Sequence, residues 1–112
     1  MNISNQHVQQ HSFLALMYED DYFPNNLVNK GKQLLLHLCQ RIEAEKPKSL
    51  TGLYQLTHHT THLFNELDEE FQQQGSEIET VARECIVMDF EFIAHSYSYQ
   101  ADGEALTATR EW

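Results

Sequence analysis

Apolar side chains in the middle of the chain recur three and four positions apart, over stretches too long for strands and with the period of a helix. Leu27, Gly31, Leu34, Leu35, Leu38 and Ile42 form one stripe. A second runs through Leu53, Leu56, Thr60, Leu63, Phe64, Leu67 and Phe71. Ile78, Ala82, Cys85, Ile86, Phe92 and Ile93 form a third, which Val81 and Phe90 broaden. Each stripe must be buried against another element, and three long helices cover one another's seams.

Punctuation agrees with the stripes. Pro24 fits a first helical turn, with Asp21 or a neighbouring carboxylate near the positive end of the helix dipole and Tyr22 and Phe23 dropping into the core. Pro47 marks an exit, Ser49 is an N-cap, and Gly75 stops the second helix. Ser76 with Glu79 three residues later has the pattern of a capping box for the third. Connectors this short make sequential helices antiparallel neighbours, so the expectation is an all-α, up-down bundle.

The ends are less patterned. Residues 1–11 are polar and read as a flexible lead-in, with 12–112 as a single helical domain. Ser12 to Tyr18 is apolar enough to pack on the domain as a short helix or extended segment. After Tyr97 and Tyr99 the chain is expected to turn near Gly103. Leu106 to Trp112 then form a tail whose indole docks on the helices or serves as an exposed binding anchor.

Length and charge narrow the function classes. A chain of 112 residues has room for one core. Its formal charge is -10, and the imbalance is local: five acids and five bases balance through Asn65, whereas from Glu66 onward twelve acids face only Arg83 and Arg110. Such a surface repels phosphate backbones and anionic lipid, which argues against nucleic acid and membrane. It suits a basic protein partner, and it also suffices for solubility. With no signal-peptide pattern and no apolar run of transmembrane length, cytoplasm is the expected location. Cys39 and Cys85 sit in apolar stripes outside any CxxC pair and read as buried thiols.

Few residues suggest chemistry. His58, His62 and Glu66 line one strip of the second helix at four-residue spacing, and those types can bind a transition metal. At about 100° per residue the strip falls opposite the apolar side, so a closed site would need a further segment or subunit. Asp89 is odder, because it lies within the third apolar stripe. An ionised carboxylate there needs a partner, with Arg41, Arg110, a tyrosine hydroxyl or free amides at a helix start as candidates. It is a buried tie between elements or a pocket-lining acid. The turn carrying Glu19, Asp20, Asp21 and Tyr22 ends one element and starts the next, and it also presents carboxylates beside an aromatic, as a grip on a basic peptide surface would. Catalytic signatures (HExxH, ExxH, GxSxG, Gly-rich phosphate loops) are absent, and no cofactor is implied.

The segments LMYEDDYFPNNLVNKGKQLLLHLCQRIEAEKP, LYQLTHHTTHLFNELDEEF and GSEIETVARECIVMDFEFIAHSYSY, with the closing TREW, resemble a family of small bacterial proteins classed as a domain of unknown function. The resemblance runs from about Phe13 to Trp112 and is most specific at MYEDDYFP, at Leu53 to Phe71, and at GSEIET with Asp89 downstream. It implies a shared helical fold and a bacterial origin, and it supplies no catalytic residues. The expected role is a noncatalytic interaction module that inhibits or neutralises a basic protein partner. A metal-binding protein or small metal-dependent enzyme is one alternative. A self-associating helper, as a homodimer, is the other.

Overall fold

A computed structural model describes residues 2–112, and among them there are six helices and no strand. In chain order these are α1 (Gln6–Gln10), α2 (Ala15–Tyr18), α3 (Asn25–Glu45), α4 (Leu50–Gln73), α5 (Thr80–Ser96) and α6 (Gly103–Leu106). The fold is the all-α bundle that the three stripes require. Its three long helices are α3, α4 and α5.

α3 buries Leu27, Val28, Gly31, Leu35, Leu38, Cys39 and Ile42, while Leu34 is left half-buried. Gly31 sits where a Cβ would lie 3.0 Å from a Leu14 methyl and 3.2 Å from the Phe64 ring. Glycine therefore lets α2 and α4 approach α3 closely, which offsets its poor helix propensity. No carboxylate caps this helix: Pro24 is the N-cap and the first turn holds no acid. Asp20 instead accepts the Tyr22 amide at 2.9 Å, a local turn bond of the kind aspartate favours. Phe23 enters the core as expected, but Tyr22 stays 44% exposed and packs edge-on against it.

α4 starts as predicted, with the Ser49 hydroxyl accepting the Gly52 amide at 3.1 Å. Thr57, Thr60 and Thr61 are buried on its inner side. Their hydroxyls donate to the carbonyls of Tyr54, Leu56 and Thr57, so no hydroxyl is stranded. The helix ends at Gly75, whose φ of 80° is open to glycine without strain. There the Ser76 amide reaches back to the Phe71 carbonyl and the Gly75 amide to Gln72, the paired bonds of a Schellman ending.

The start of α5 departs from the capping-box expectation. Glu79, not Ser76, is the N-cap, and its carboxylate accepts from Val81 and Ala82. Ser76 is buried in the linker, where Asp68 takes the Ile78 amide at 2.7 Å. The third stripe is also narrower than predicted: Val81 is 45% exposed and Phe92 half-buried.

α3 and α4 pair as a helical hairpin. α5 meets α3 directly and is further tied to the hairpin through α2 and α6. Phe64 and Phe90 meet across α4 and α5 at 5.9 Å, and Phe23 and Phe71 pack edge-on at 6.2 Å. Deleting any of these buried rings would cost about 3 to 5 kcal/mol. Gly103 is not a turn residue. It opens α6 under the Asp102 cap, and a Cβ there would fall 2.2 Å from a Val87 methyl. The Cα radius of gyration is 13.3 Å, about the ~13 Å of a fully collapsed chain of this size. Among the described residues no helix is long and apolar enough to cross a membrane.

Candidate functional site

Asp89 does point inward and is 7% exposed. Its Oδ2 accepts the Leu14 backbone amide at 2.7 Å and its Oδ1 lies 2.8 Å from His11 Nε2. Of the partners proposed from sequence, the free amide at a helix start is the one used, because Leu14 is the N-cap of α2. Arg41 and Arg110 pair with Glu45 and Glu104 instead. Burial pushes the Asp89 carboxyl above its ordinary range, against the pull of the bonds from His11 and Leu14.

His11 belongs to the segment expected to be a loose lead-in. Met1 lies outside the described residues, but the rest of that segment sits on the bundle: Asn5 caps α1, Val8 is buried, and the His11 ring stacks on Phe92 at 3.8 Å. His11 also lines a hollow of about 400 Å³ with Ile3, Val8, Gln9, Phe13, Lys32 and Leu36. Asp89 is not in its wall, which favours the tie over the pocket acid.

A second tie was invisible in the sequence. Glu43, near the end of α3, accepts from the amides of Ser4 and Asn5, from the Ser4 hydroxyl, and from Tyr97 Oη at 2.6 Å. Burial works to raise its carboxyl, but the bonds from Tyr97, Ser4 and Asn5 together hold it below the usual range. Cys39 shares this neighbourhood. Burial, with help from the Glu43 charge and against a bond from Tyr97, pushes its thiol up to about 12. Cys85 is raised as well, by burial and then by Asp89, against bonds from the backbone of Met17 and Leu16. Both thiols are free and protonated at neutral pH, so neither is an activated nucleophile.

The histidine strip is not a single outward ridge. His62 and Glu66 are exposed, but His58 is half-buried: its ring stacks on Tyr54 and its Nε2 is 2.9 Å from the Ala105 carbonyl. That bond fastens α6 to α4. Among the described residues no group of three or more His, Cys, Asp or Glu side chains is placed to hold a metal ion, so the fold does not gather His58, His62 and Glu66 into one.

The acidic turn is at the surface. Glu19, Asp20 and Asp21 are exposed beside Tyr22. Tyr18 Oη donates to Asn29 Oδ1 at 2.6 Å, which anchors the turn against the first part of α3. Asn29 also lines a groove of about 440 Å³ between α3 and α4. Leu34, Leu63 and Leu67 supply its apolar wall, and Asn26, Lys30, Gln33, Glu66 and Glu70 complete the lining. Lys30 and Glu70 bridge at 2.5 Å, so the one cation of the lining is already paired.

Trp112 packs edge-on against Phe64 at 6.2 Å and is half-buried, so it docks on the bundle. Asn65 holds the same tail, accepting the Glu111 amide and donating to the Thr109 carbonyl.

Neither the curated proteins nor the solved structures offer a significant match to the chain. A family model does match, over residues 7–112, and so takes in the His11–Asp89 tie, the groove and the docked tail. The chain belongs to that family, a family of unknown function designated DUF5713.

Proposed function

We propose that this protein is a noncatalytic interaction module that holds a basic protein partner in the α3–α4 groove. The observation that carries this reading is the groove's composition: a leucine wall, amide and acid lining, and the Glu19 to Asp21 turn linked to it through Tyr18 and Asn29. An apolar contact zone with polar groups around it is the usual make-up of an interface. Surplus negative charge speeds the approach of a cationic partner and selects against anionic ones. Asp89, Glu43 and His58 are taken up by structural bonds and both thiols are protonated, which favours binding over nucleophilic chemistry.

The test is co-purification from the native cell at increasing salt, alongside a Leu63→Asp, Glu66→Lys variant. The expected result is a specific, lysine- or arginine-rich partner that dissociates as salt rises and is not retained by the variant, while the variant's circular dichroism stays native. Recovery of no specific partner at any salt concentration would defeat the proposal, and so would a partner that the variant holds equally well.

A further inference from the structure

The acid-rich second half of the chain contains two cations, Arg83 and Arg110, and the fold brings both to one pocket. The pocket holds about 220 Å³ between α5 and the α6 region, with Val87 and Met88 as apolar wall and Glu84 and Glu104 alongside the arginines. Two guanidinium groups repel each other unless anions answer both. Arg110 is answered: it reaches Glu104 Oε2 at 3.0 Å and the Thr107 hydroxyl at 3.2 Å. Arg83 is not. Its Nε is buried without a hydrogen-bond partner, and it forms no ion pair with any acid among the described residues. It also lies in the first turn of α5, where the helix dipole disfavours a cation.

We propose that this pocket binds a small monocarboxylate with a short apolar tail. The carboxylate would accept from the two terminal guanidinium nitrogens of Arg83, a two-pronged geometry that suits arginine, with the unused Arg110 donors beside it. The tail would lie against Val87 and Met88. The volume is below the roughly 300 to 1,000 Å³ of pockets for drug-sized ligands, so the ligand is short. Glu84 and Glu104 disfavour a dianion, which sets a carboxylate above a phosphate monoester. This site is separate from the α3–α4 groove and stands whether or not that groove binds a partner.

The test is an NMR titration of the full chain with sodium butyrate, with sodium chloride at matched ionic strength as reference. It reads the Arg83 Nε–H resonance and the Val87 and Met88 methyls. Butyrate should shift all three saturably in the millimolar range, acetate and phosphate should bind more weakly, and Arg83→Gln should weaken butyrate by about tenfold or more. Shifts no different from those of chloride would overturn the proposal, as would phosphate binding tighter than butyrate or equal binding by the variant. Should Arg83→Gln not fold, the comparison of butyrate with chloride on the unaltered chain decides alone.

Discussion

Replacing Asp89 with alanine would strand the groups that its carboxylate now joins. The Leu14 amide would lose its 2.7 Å acceptor and His11 its 2.8 Å partner. An unsatisfied buried N–H costs about 1 to 3 kcal/mol, and the lost bond to the ring adds about 1. Relief of the carboxylate's own burial cost, the same cost that raises its pKa, works the other way. Those two losses sum to about 2 to 4 kcal/mol, and the relief brings the expected net loss to about 1 to 3 kcal/mol. A chain of this length has a total stability of roughly 6 to 17 kcal/mol, so the variant should fold with a melting temperature lower by about 4 to 12 °C, at ~4 °C per kcal/mol. Leu14 adds leverage, since its φ of 57° is a left-handed conformation that the Asp89 bond helps hold.

Urea denaturation followed by circular dichroism measures the loss, and hydrogen exchange at the Leu14 amide locates it. Asp89→Asn keeps an oxygen for the Leu14 amide and should cost less than alanine. The pH dependence has a definite sign. The folded protein holds the Asp89 proton more tightly than the unfolded chain, so this contribution to stability is fully present below the ordinary value of 3.8 and is lost as pH rises through the raised folded value. Stability of the natural chain relative to Asp89→Asn should therefore fall as pH climbs from about 4. An alanine variant within about 0.5 kcal/mol of the natural chain, the range of an ordinary surface substitution, would refute the tie, as would asparagine and alanine costing the same.

Three further outcomes follow from the other contacts. Gly103→Ala must displace either Val87 or α6, because the new methyl would sit 2.2 Å from Val87; a loss of about 1 to 3 kcal/mol in urea denaturation is expected, partly recovered when Val87→Ala is added. His58→Ala should cost about 0.5 to 1.5 kcal/mol through its bond to Ala105, whereas His62→Ala, at an exposed position, should stay within about 0.5 kcal/mol; equal effects in the same assay would contradict the placement. For Glu43 the pH sign is opposite to that of Asp89. Its stabilisation is present above the ordinary 4.5 and lost as pH falls through the lowered folded value, so Glu43→Gln should differ from the natural chain at neutral pH and converge with it in acid.

The long helices were legible because their apolar period is a local property, and the period placed Asp89 inside the protein correctly. Its histidine partner was not legible: His11 lies 78 residues away in a polar stretch with no helical stripe. Glu43 was hidden for a related reason, since a glutamate late in a helix looks like solvent-facing charge until Ser4 and Asn5 are seen to fold back onto it. Gly103 misled because glycine marks turns more often than close approaches, and only the distance to Val87 separates the two. The groove depended on how α3 and α4 pair, and one strand of sequence does not encode that register visibly. Leu34 and Leu63 were therefore both expected in the core, whereas both are half-buried in the groove wall.

The short helices explain what the inward-facing polar groups are for. α1, α2 and α6 have five, four and four residues, far below the ~12 to 15 at which an isolated helix becomes marginally stable in water. Each is held by a polar side chain of a long helix: Glu43 of α3 holds the segment entering α1, Asp89 of α5 the start of α2, and His58 of α4 the Ala105 carbonyl in α6. Those three groups are thereby committed to the fold. Glu66 in the groove lining, and Glu19 and Asp21 in the neighbouring turn, are exposed and, among the described residues, enter none of the ion pairs. Acids without a structural partner repel one another and lower stability, so under the proposed function a cationic partner at the groove would relieve a repulsion that the bundle itself leaves unanswered.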